Sequence, residues 1–403
     1  MTDGAPVVHA RAAAALEAGF ALRVSTIEER AGWLAQAAAV LSLEAHDRSE
    51  ALADATGLSI PMVRWATRTT LGTIVEDTLL GLAELARGGR DRTPDPIAML
   101  SVVLAGNVFT ASVRGIVVPL LFGVPVLVKA SSRETLFPAM LRDALCRVDS
   151  RSGASMNVVA FAGGDLECEA ALVASAEAVS VYGSDETIAA MVARLGATPL
   201  IAHGHGVSAA YCSADALDDA HVGDTVASLS LDICAYDQRG CLSPQVVYVE
   251  ETPRRSIEHF AKRLAEEGLG AMNRTLPRGA LPASAGAAQA QWRGIAEVEG
   301  SLLVGDTYAV SIPETDSIRW SPGFRNVTLA PVRGIEHAVQ AMEPIGSKLK
   351  CIGVDSASID GAQAQLSKSP TLHAYACALG QMQTPPLDAP ADGHPIWHGL
   401  FRG

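Results

Sequence analysis

The chain has 403 residues, 49% of them hydrophobic and 5% aromatic. That length exceeds what one hydrophobic core organises, so two domains are expected, and the composition is that of a folded α/β protein rather than a disordered one. A formal net charge of −13, spread along the chain without a basic cluster interleaved with aromatics, argues against a nucleic-acid partner.

From about His9 to Ala86 apolar residues recur at spacings of three and four (Ile27, Trp33, Leu34, Ala37, Leu41), which predicts an N-terminal helical region. The run Gly115 to Val128 is broken by Pro119, Gly123 and Pro125. It falls short of the roughly 20 residues of a membrane span, and reads as a buried helix followed by a buried strand. No basic stretch precedes an apolar one at the N-terminus, so the expected compartment is the cytoplasm.

Short apolar runs then alternate with amphipathic segments: Ala98–Leu104, Val126–Lys129, Met156–Phe161, Ala178–Tyr182 and Pro199–Ala202. Separations long enough for crossover helices predict a doubly wound parallel sheet. After Ser208 the pattern becomes a helix, an exposed loop near Gln238–Pro244, a strand Gln245–Glu250 and a helix Ile257–Glu267, which begins a second α/β unit. Residues Arg278–Gln291 are rich in alanine, proline and glycine and read as a surface loop. A strand Leu349–Val354 and a helix Ser358–Ser367 follow. The expected division is 1–205 for the helical region and dinucleotide-binding domain, with the tail 370–403 packing back on it, and 206–369 for the second domain.

Ligands of open parallel sheets bind beyond the carboxyl ends of the strands, so the turns after the strands are the candidate site. Asn107, after Gly106, is either a turn former or a hydrogen-bond donor to an oxyanion. Lys129 ends a Val-Leu-Val strand, where it either snorkels to the sheet edge or meets an anion or a ribose. Gly183 and Ser184 precede a helix, as its cap or as a pyrophosphate contact. No G-x-G-x-x-G fingerprint accompanies them.

Seven cysteines without a C-x-x-C pair point to neither a disulfide framework nor a zinc site. Most read as small buried hydrophobes, Cys234 on a predicted helix among them. Cys241 sits in the polar loop Asp237-Gln238-Arg239-Gly240-Cys241-Leu242-Ser243-Pro244, where exposure and the nearby Arg239 suit a thiolate nucleophile. His203 and His205 lack a third ligand at metal spacing, so no metal is expected.

In order and spacing these segments resemble the aldehyde dehydrogenase superfamily over most of the chain. The resemblance rests on Gly106-Asn107, Pro119, Gly123, Val126-Leu127-Val128-Lys129, Gly163-Gly164, Tyr182-Gly183-Ser184 and Cys241. Within it, three phrases are similar to the LuxC-type acyl-CoA reductases, the branch that includes the fatty acid reductases of bacterial bioluminescence. They are His203-Gly204-His205-Gly206-Val207-Ser208, Asp237-Gln238 with Cys241-Leu242-Ser243-Pro244-Gln245, and the tail Ala378-Leu379-Gly380-Gln381-Met382-Gln383-Thr384-Pro385-Pro386-Leu387-Asp388 with Asp392-Gly393.

The resemblance implies an aldehyde dehydrogenase-like α/β fold with Cys241 as nucleophile and Asn107 as oxyanion donor. It makes Lys129, Ser132 and Glu343 ribose-side contacts, and Gly183 and Ser184 the phosphate turn. It further implies reduction of an acyl-CoA or acyl-carrier thioester to the aldehyde through an acyl-cysteine, in an assembly of at least a dimer.

Three departures stand out. Ala202-His203-Gly204-His205 replaces the Glu-Leu-Gly-Gly general base of oxidising relatives, which leaves His203 either as the proton-transfer residue or as a structural replacement for the missing carboxylate. Glu343-Pro344-Ile345-Gly346 is a vestige of the family's ribose-contact phrase. Ala376 stands before Cys377 where relatives carry arginine. At Ser131-Ser132-Arg133 no carboxylate follows the strand lysine at the spacing that favours NAD, so NADPH is the expected cofactor. The competing readings are an oxidative direction, yielding acyl-CoA or acid, and a silent homologue acting as a partner subunit.

Overall fold

The computed structural model describes residues 2–252, 256–314 and 318–402. Helices Ala5–Val24, Ile27–Asp47, Ser49–Thr56, Ile60–Leu71 and Glu76–Arg87 make up the N-terminal region. The second begins at a capping box, in which Thr26 Oγ1 accepts from Glu29 N and Glu29 Oε2 accepts from Thr26 N. The chain folds into two compact units, one comprising the residues up to Thr56, Val63–His205 and the segment from Pro386 onward, the other Gly57–Met62 and Gly206–Pro385.

In the first unit, strands β1 (Leu100–Val103), β2 (Val126–Lys129), β3 (Met156–Val159), β4 (Ala178–Tyr182) and β5 (Leu200–His203) form a parallel sheet in the order β3-β2-β1-β4-β5. Val126, Leu127 and Val128 are fully buried, as expected of a strand covered on both faces. From β1 the order runs outward both ways, so its switch point lies between β1 and β4.

In the second unit, β6 (Val207–Cys212), β7 (Pro244–Glu250), β8 (Gly300–Val304), β9 (Ala309–Pro313), β10 (Asn326–Val332), β11 (Leu349–Val354) and β12 (Tyr375–Ala378) form a sheet in the order β12-β11-β6-β7-β10-β9-β8. All pairs are parallel except β8 with β9. One apolar cluster fills one side of this sheet, from Val226, Leu229 and Ile233 on helix Val222–Cys234 to Phe260 and Leu264. A second lies under helix Ile335–Met342.

Two expectations change. Residues Arg278–Gln291 are not a continuous surface loop, because helix Ala283–Glu299 starts within them and buries Gln289, Trp292 and Ala296. Alanine is the strongest helix former and Pro282 sits at the N-cap, so the proline and alanine that read as loop start a helix instead. The tail also divides later than 370. Tyr375–Ala378 pairs in parallel with β11, which keeps residues up to Pro385 with the second unit.

Candidate active site

In the first unit the cofactor-side residues converge on the carboxyl end of the sheet. Val103 registers with Lys129 on one side and with Val181 on the other, so the turns holding Asn107, Lys129 and Gly183-Ser184 are neighbours. Asn107 is exposed in the bend after β1. Two glycines let these turns close tightly: a Cβ on Gly106 would lie 2.5 Å from Ser131 Oγ, and one on Gly183 2.8 Å from Thr187 Cγ2. Ser184 caps helix Asp185–Leu195, its Oγ accepting from Thr187 N at 3.3 Å. Lys129 is half-buried, with its Nζ 5.3 Å from the centre of the Phe161 ring. Burial lowers its pKa, and the Glu169 carboxylate offsets part of that.

Ser132 and Arg133 are exposed beside Lys129. The nearest following carboxylate, Glu134, is turned inward; its Oε1 accepts from Phe137 N at 2.6 Å and burial pushes its pKa up. Tight glycine turns, a helix amino end and a lysine at the switch point of a parallel sheet fit a dinucleotide. Glu343 belongs to the second unit, where its Oε2 accepts from the Thr371 hydroxyl at 2.6 Å, and that bond holds its pKa down.

β5 ends at His203, whose Nδ1 lies 2.8 Å from Asp392 Oδ2 and whose ring stacks on Tyr182 at 4.2 Å and 17°. An ionised Asp392 makes Nδ1 the donor and leaves Nε2 as the second functional nitrogen. Asp392 belongs to the tail phrase Asp392-Gly393, and its partnership with a residue 189 positions earlier has no local sequence signal.

In the second unit, Cys241 is exposed in a turn closed by Ser243 N donating to Gly240 O at 3.1 Å. Ser208 Oγ donates to the carbonyl of Cys241 at 2.8 Å. Asp237 and Gln238, expected in the exposed loop, are instead buried. Gln238 Nε2 donates to the carbonyls of Pro244 (2.7 Å) and Asn326 (2.8 Å). Asp237 Oδ1 accepts from Arg325 Nη2 at 2.6 Å, Oδ2 accepts from Gly279 N, and Arg325 Nη1 donates to Asn273 Oδ1.

Tyr236, Asp237 and Gln238 are left-handed, with φ of 52°, 54° and 56°, as are Phe324 and Arg325. Each such residue costs about 1–2 kcal/mol and persists only where its surroundings over-determine it. Here the buried Asp237–Arg325 pair ties together the two runs, one of which leads into the Cys241 turn. Arg239 directs its Nε to the Tyr236 carbonyl at 3.2 Å, which makes it part of this brace. Arg325, Asn273 and Asn326 are site-supporting residues that sequence reasoning missed, since they lie 32 to 85 positions from Cys241 and carry no motif.

The LuxC acyl-CoA reductase family matches residues 36–394. The chain belongs to this family. It is therefore an oxidoreductase of acyl-CoA and aldehyde substrates and uses a nicotinamide cofactor. Solved structures at 15–17% identity share the fold of these reductases. An oxidoreductase from Marinobacter aquaeolei is 17% identical with a TM-score of 0.76, covering 96% of this chain and 86% of its own. A putative aldehyde dehydrogenase from Burkholderia cenocepacia is 15% identical with a TM-score of 0.74, over 94% and 82%. The NADP-dependent glyceraldehyde-3-phosphate dehydrogenase from Bacillus halodurans C-125, solved with NADP, is 16% identical with a TM-score of 0.71, over 94% and 84%. No curated relative matches the sequence. Among the described residues no helix is long and apolar enough to cross a membrane.

Proposed function

We propose that this reductase converts an acyl thioester to the aldehyde through an acyl-cysteine on Cys241, with NADPH as reductant. The observation that carries the reading is the exposed thiol on a turn entered from a segment fixed by buried charge and left-handed backbone. The Cys241 thiolate attacks the thioester carbonyl, and the Asn107 side-chain amide and the Cys241 backbone N–H donate to the oxyanion that forms. CoA or a carrier thiol then leaves.

The nicotinamide, when bound, supplies hydride for reduction of the acyl-cysteine. Collapse of the resulting thiohemiacetal releases the aldehyde and restores the Cys241 thiol, and His203, oriented by Asp392, serves that step through Nε2. No carboxylate occupies the position of the oxidising relatives' general base, which favours thiol exchange over hydrolysis. In this reading Gly183 and Ser184 hold the cofactor phosphates and Lys129 and Ser132 its ribose.

The NADP assignment draws support from the inward-turned Glu134, the neutral Ser132 and the cations beside it, and from the NADP-bound structural neighbour. Intact-mass spectrometry after exposure to acyl-CoAs without cofactor tests the covalent step: the adduct belongs on Cys241, and a chain that stays unmodified with every acyl-CoA refutes the reading. Initial rates with NADPH and NADH test the cofactor. NADPH should lead by at least about tenfold in kcat/KM, or about 1.4 kcal/mol. Ser132→Glu should reduce or reverse that lead while Cys241 acylation is unchanged.

A further inference from the structure

Two of the free cysteines touch. Cys351 Sγ and Cys377 Sγ lie 3.4 Å apart on the neighbouring parallel strands β11 and β12. The register sets Cys351 opposite Tyr375 and Gly353 opposite Cys377. Residues two apart on a strand point to one side, so both thiols stand on the same face of the seven-stranded sheet, offset by two positions. Ile352, Val354, Ala374 and Ala376 point the other way, into the apolar cluster under helix Ile335–Met342. Over the thiol face lies the tail phrase: a Cβ on Gly353 would come within 2.4 Å of Met382 Sδ and 3.2 Å of Leu379 Cδ2.

The two sulfurs differ in access. Cys351 is fully buried, and loss of water together with the adjacent Cys377 pushes its thiol up. Cys377 is half-buried on an outer strand of the sheet. A small oxidant therefore meets Cys377 first, with the Cys351 sulfur already in contact behind it.

We infer that Cys351 and Cys377 are an oxidation site, a dithiol that hydrogen peroxide or another small hydroperoxide converts to a disulfide. The pair stands apart from the thioester reading, since neither residue is asked to carry an acyl group. The Cys377 sulfur takes one peroxide oxygen as the O–O bond breaks, giving a sulfenic acid and one water. The Cys351 sulfur then attacks that sulfur. The S–S bond forms, the S–O bond breaks, and the hydroxyl leaves with the Cys351 proton as a second water. The two thiols give up two electrons and the peroxide gains them.

A disulfide needs its sulfurs about 2.05 Å apart and its Cα atoms within about 7 Å, whereas diagonal neighbours in a sheet stand about 7–8 Å apart. β12 must therefore shift toward β11 by about 1 Å, which a strand paired along one edge can do. The bond it makes is strained, and strained disulfides are the readily reduced kind. A small dithiol then reopens the site.

The test uses the full chain carrying Cys241→Ala, so that the exposed Cys241 thiol does not compete for peroxide. After about one equivalent of hydrogen peroxide the intact mass should fall by about 2 Da. Unreduced peptide mapping should join Cys351 to Cys377, and dithiothreitol should restore the starting mass. Cys377→Ser should abolish the mass loss. Cys351→Ala should instead leave Cys377 as a sulfenic acid that dimedone labels, in protein that melts within a few degrees of the parent. Oxygen added at Cys377 of the parent without the mass loss overturns the pair. So does a crosslink from Cys351 or Cys377 to a different cysteine, or a chain that keeps both thiols through excess peroxide.

Discussion

Two of the seven cysteines, Cys146 and Cys241, are exposed, and exposure alone does not choose between them. Cys146 lies on the regular helix Leu136–Val148, whereas Cys241 sits on the braced turn. Cys234 is fully buried and its thiol is pushed up to about 12 by loss of water, so at neutral pH it supplies almost no thiolate. Cys241→Ala should therefore abolish acyl-enzyme formation and aldehyde production, while Cys234→Ala and Cys146→Ala stay within a few-fold of the parent. Acylation that persists without Cys241, read by intact mass, would sink the assignment. Asn107→Ala should slow acylation by about 10²–10³-fold with cofactor affinity little changed, the usual cost of one oxyanion donor. An unchanged single-turnover acylation rate would remove Asn107 from the chemistry. At this scale the placement of the candidate residues was legible: Asn107, Lys129 and Ser184 stand at or after strand ends and Cys241 in a loop, where residue type and neighbours carry the signal. Asp392 and Arg325 were not, because their meaning depends on partners 189 and 88 positions away.

The thiol turn draws its rigidity from elements far off in sequence. The Asp237–Arg325 pair is almost wholly buried, at 1% and 0% side-chain exposure. Removing one partner of such a pair costs about 3–5 kcal/mol, because the other charge is left without compensation. Asp237→Asn keeps the shape but not the charge. It should lower the melting temperature by about 10 °C and slow acylation of Cys241 more than it weakens binding of the acyl-CoA. A variant that melts early yet acylates at the parental rate would show that the brace serves stability alone. Sequence reading found the strands that are continuous apolar runs, β1 to β5 with β7 and β11. It did not find β8, β9, β10 or β12, nor β6, where the segment after Ser208 read as a helix and Val207–Cys212 is instead a buried strand. Gly300–Val304 is an edge strand with exposed residues, and Asn326–Val332 carries Asn326 and Pro331. Their pairing is settled by neighbours rather than by local pattern.

Across the whole chain, the tail phrase earns its place through a buried carboxylate. Asp232, on helix Val222–Cys234, accepts from the backbone amides of Gly380 (2.6 Å) and Met382 (3.0 Å). Burial outweighs these bonds and pushes its carboxyl up to about 7. The folded value then exceeds the unfolded value of about 4. The stability from this group is full below about pH 4 and is lost as pH rises through about 7, by about 2–4 kcal/mol. Asp232→Asn should flatten this part of the profile, so that parent and variant diverge in melting temperature between about pH 4 and 7. Parallel curves would show that the carboxylate is not strained by its surroundings.

The placement of the last residues also bears on how the molecule is made. The thiol turn, its brace and both outer strands of the seven-stranded sheet are encoded before Pro386, whereas one wall of a cavity in the first unit and the bond from Ile97 to Leu400 come from the final eighteen residues. During vectorial synthesis the Cys241 turn therefore leaves the ribosome before the compartment under the tail can close, and the first unit's fold waits on residues made after the second unit's.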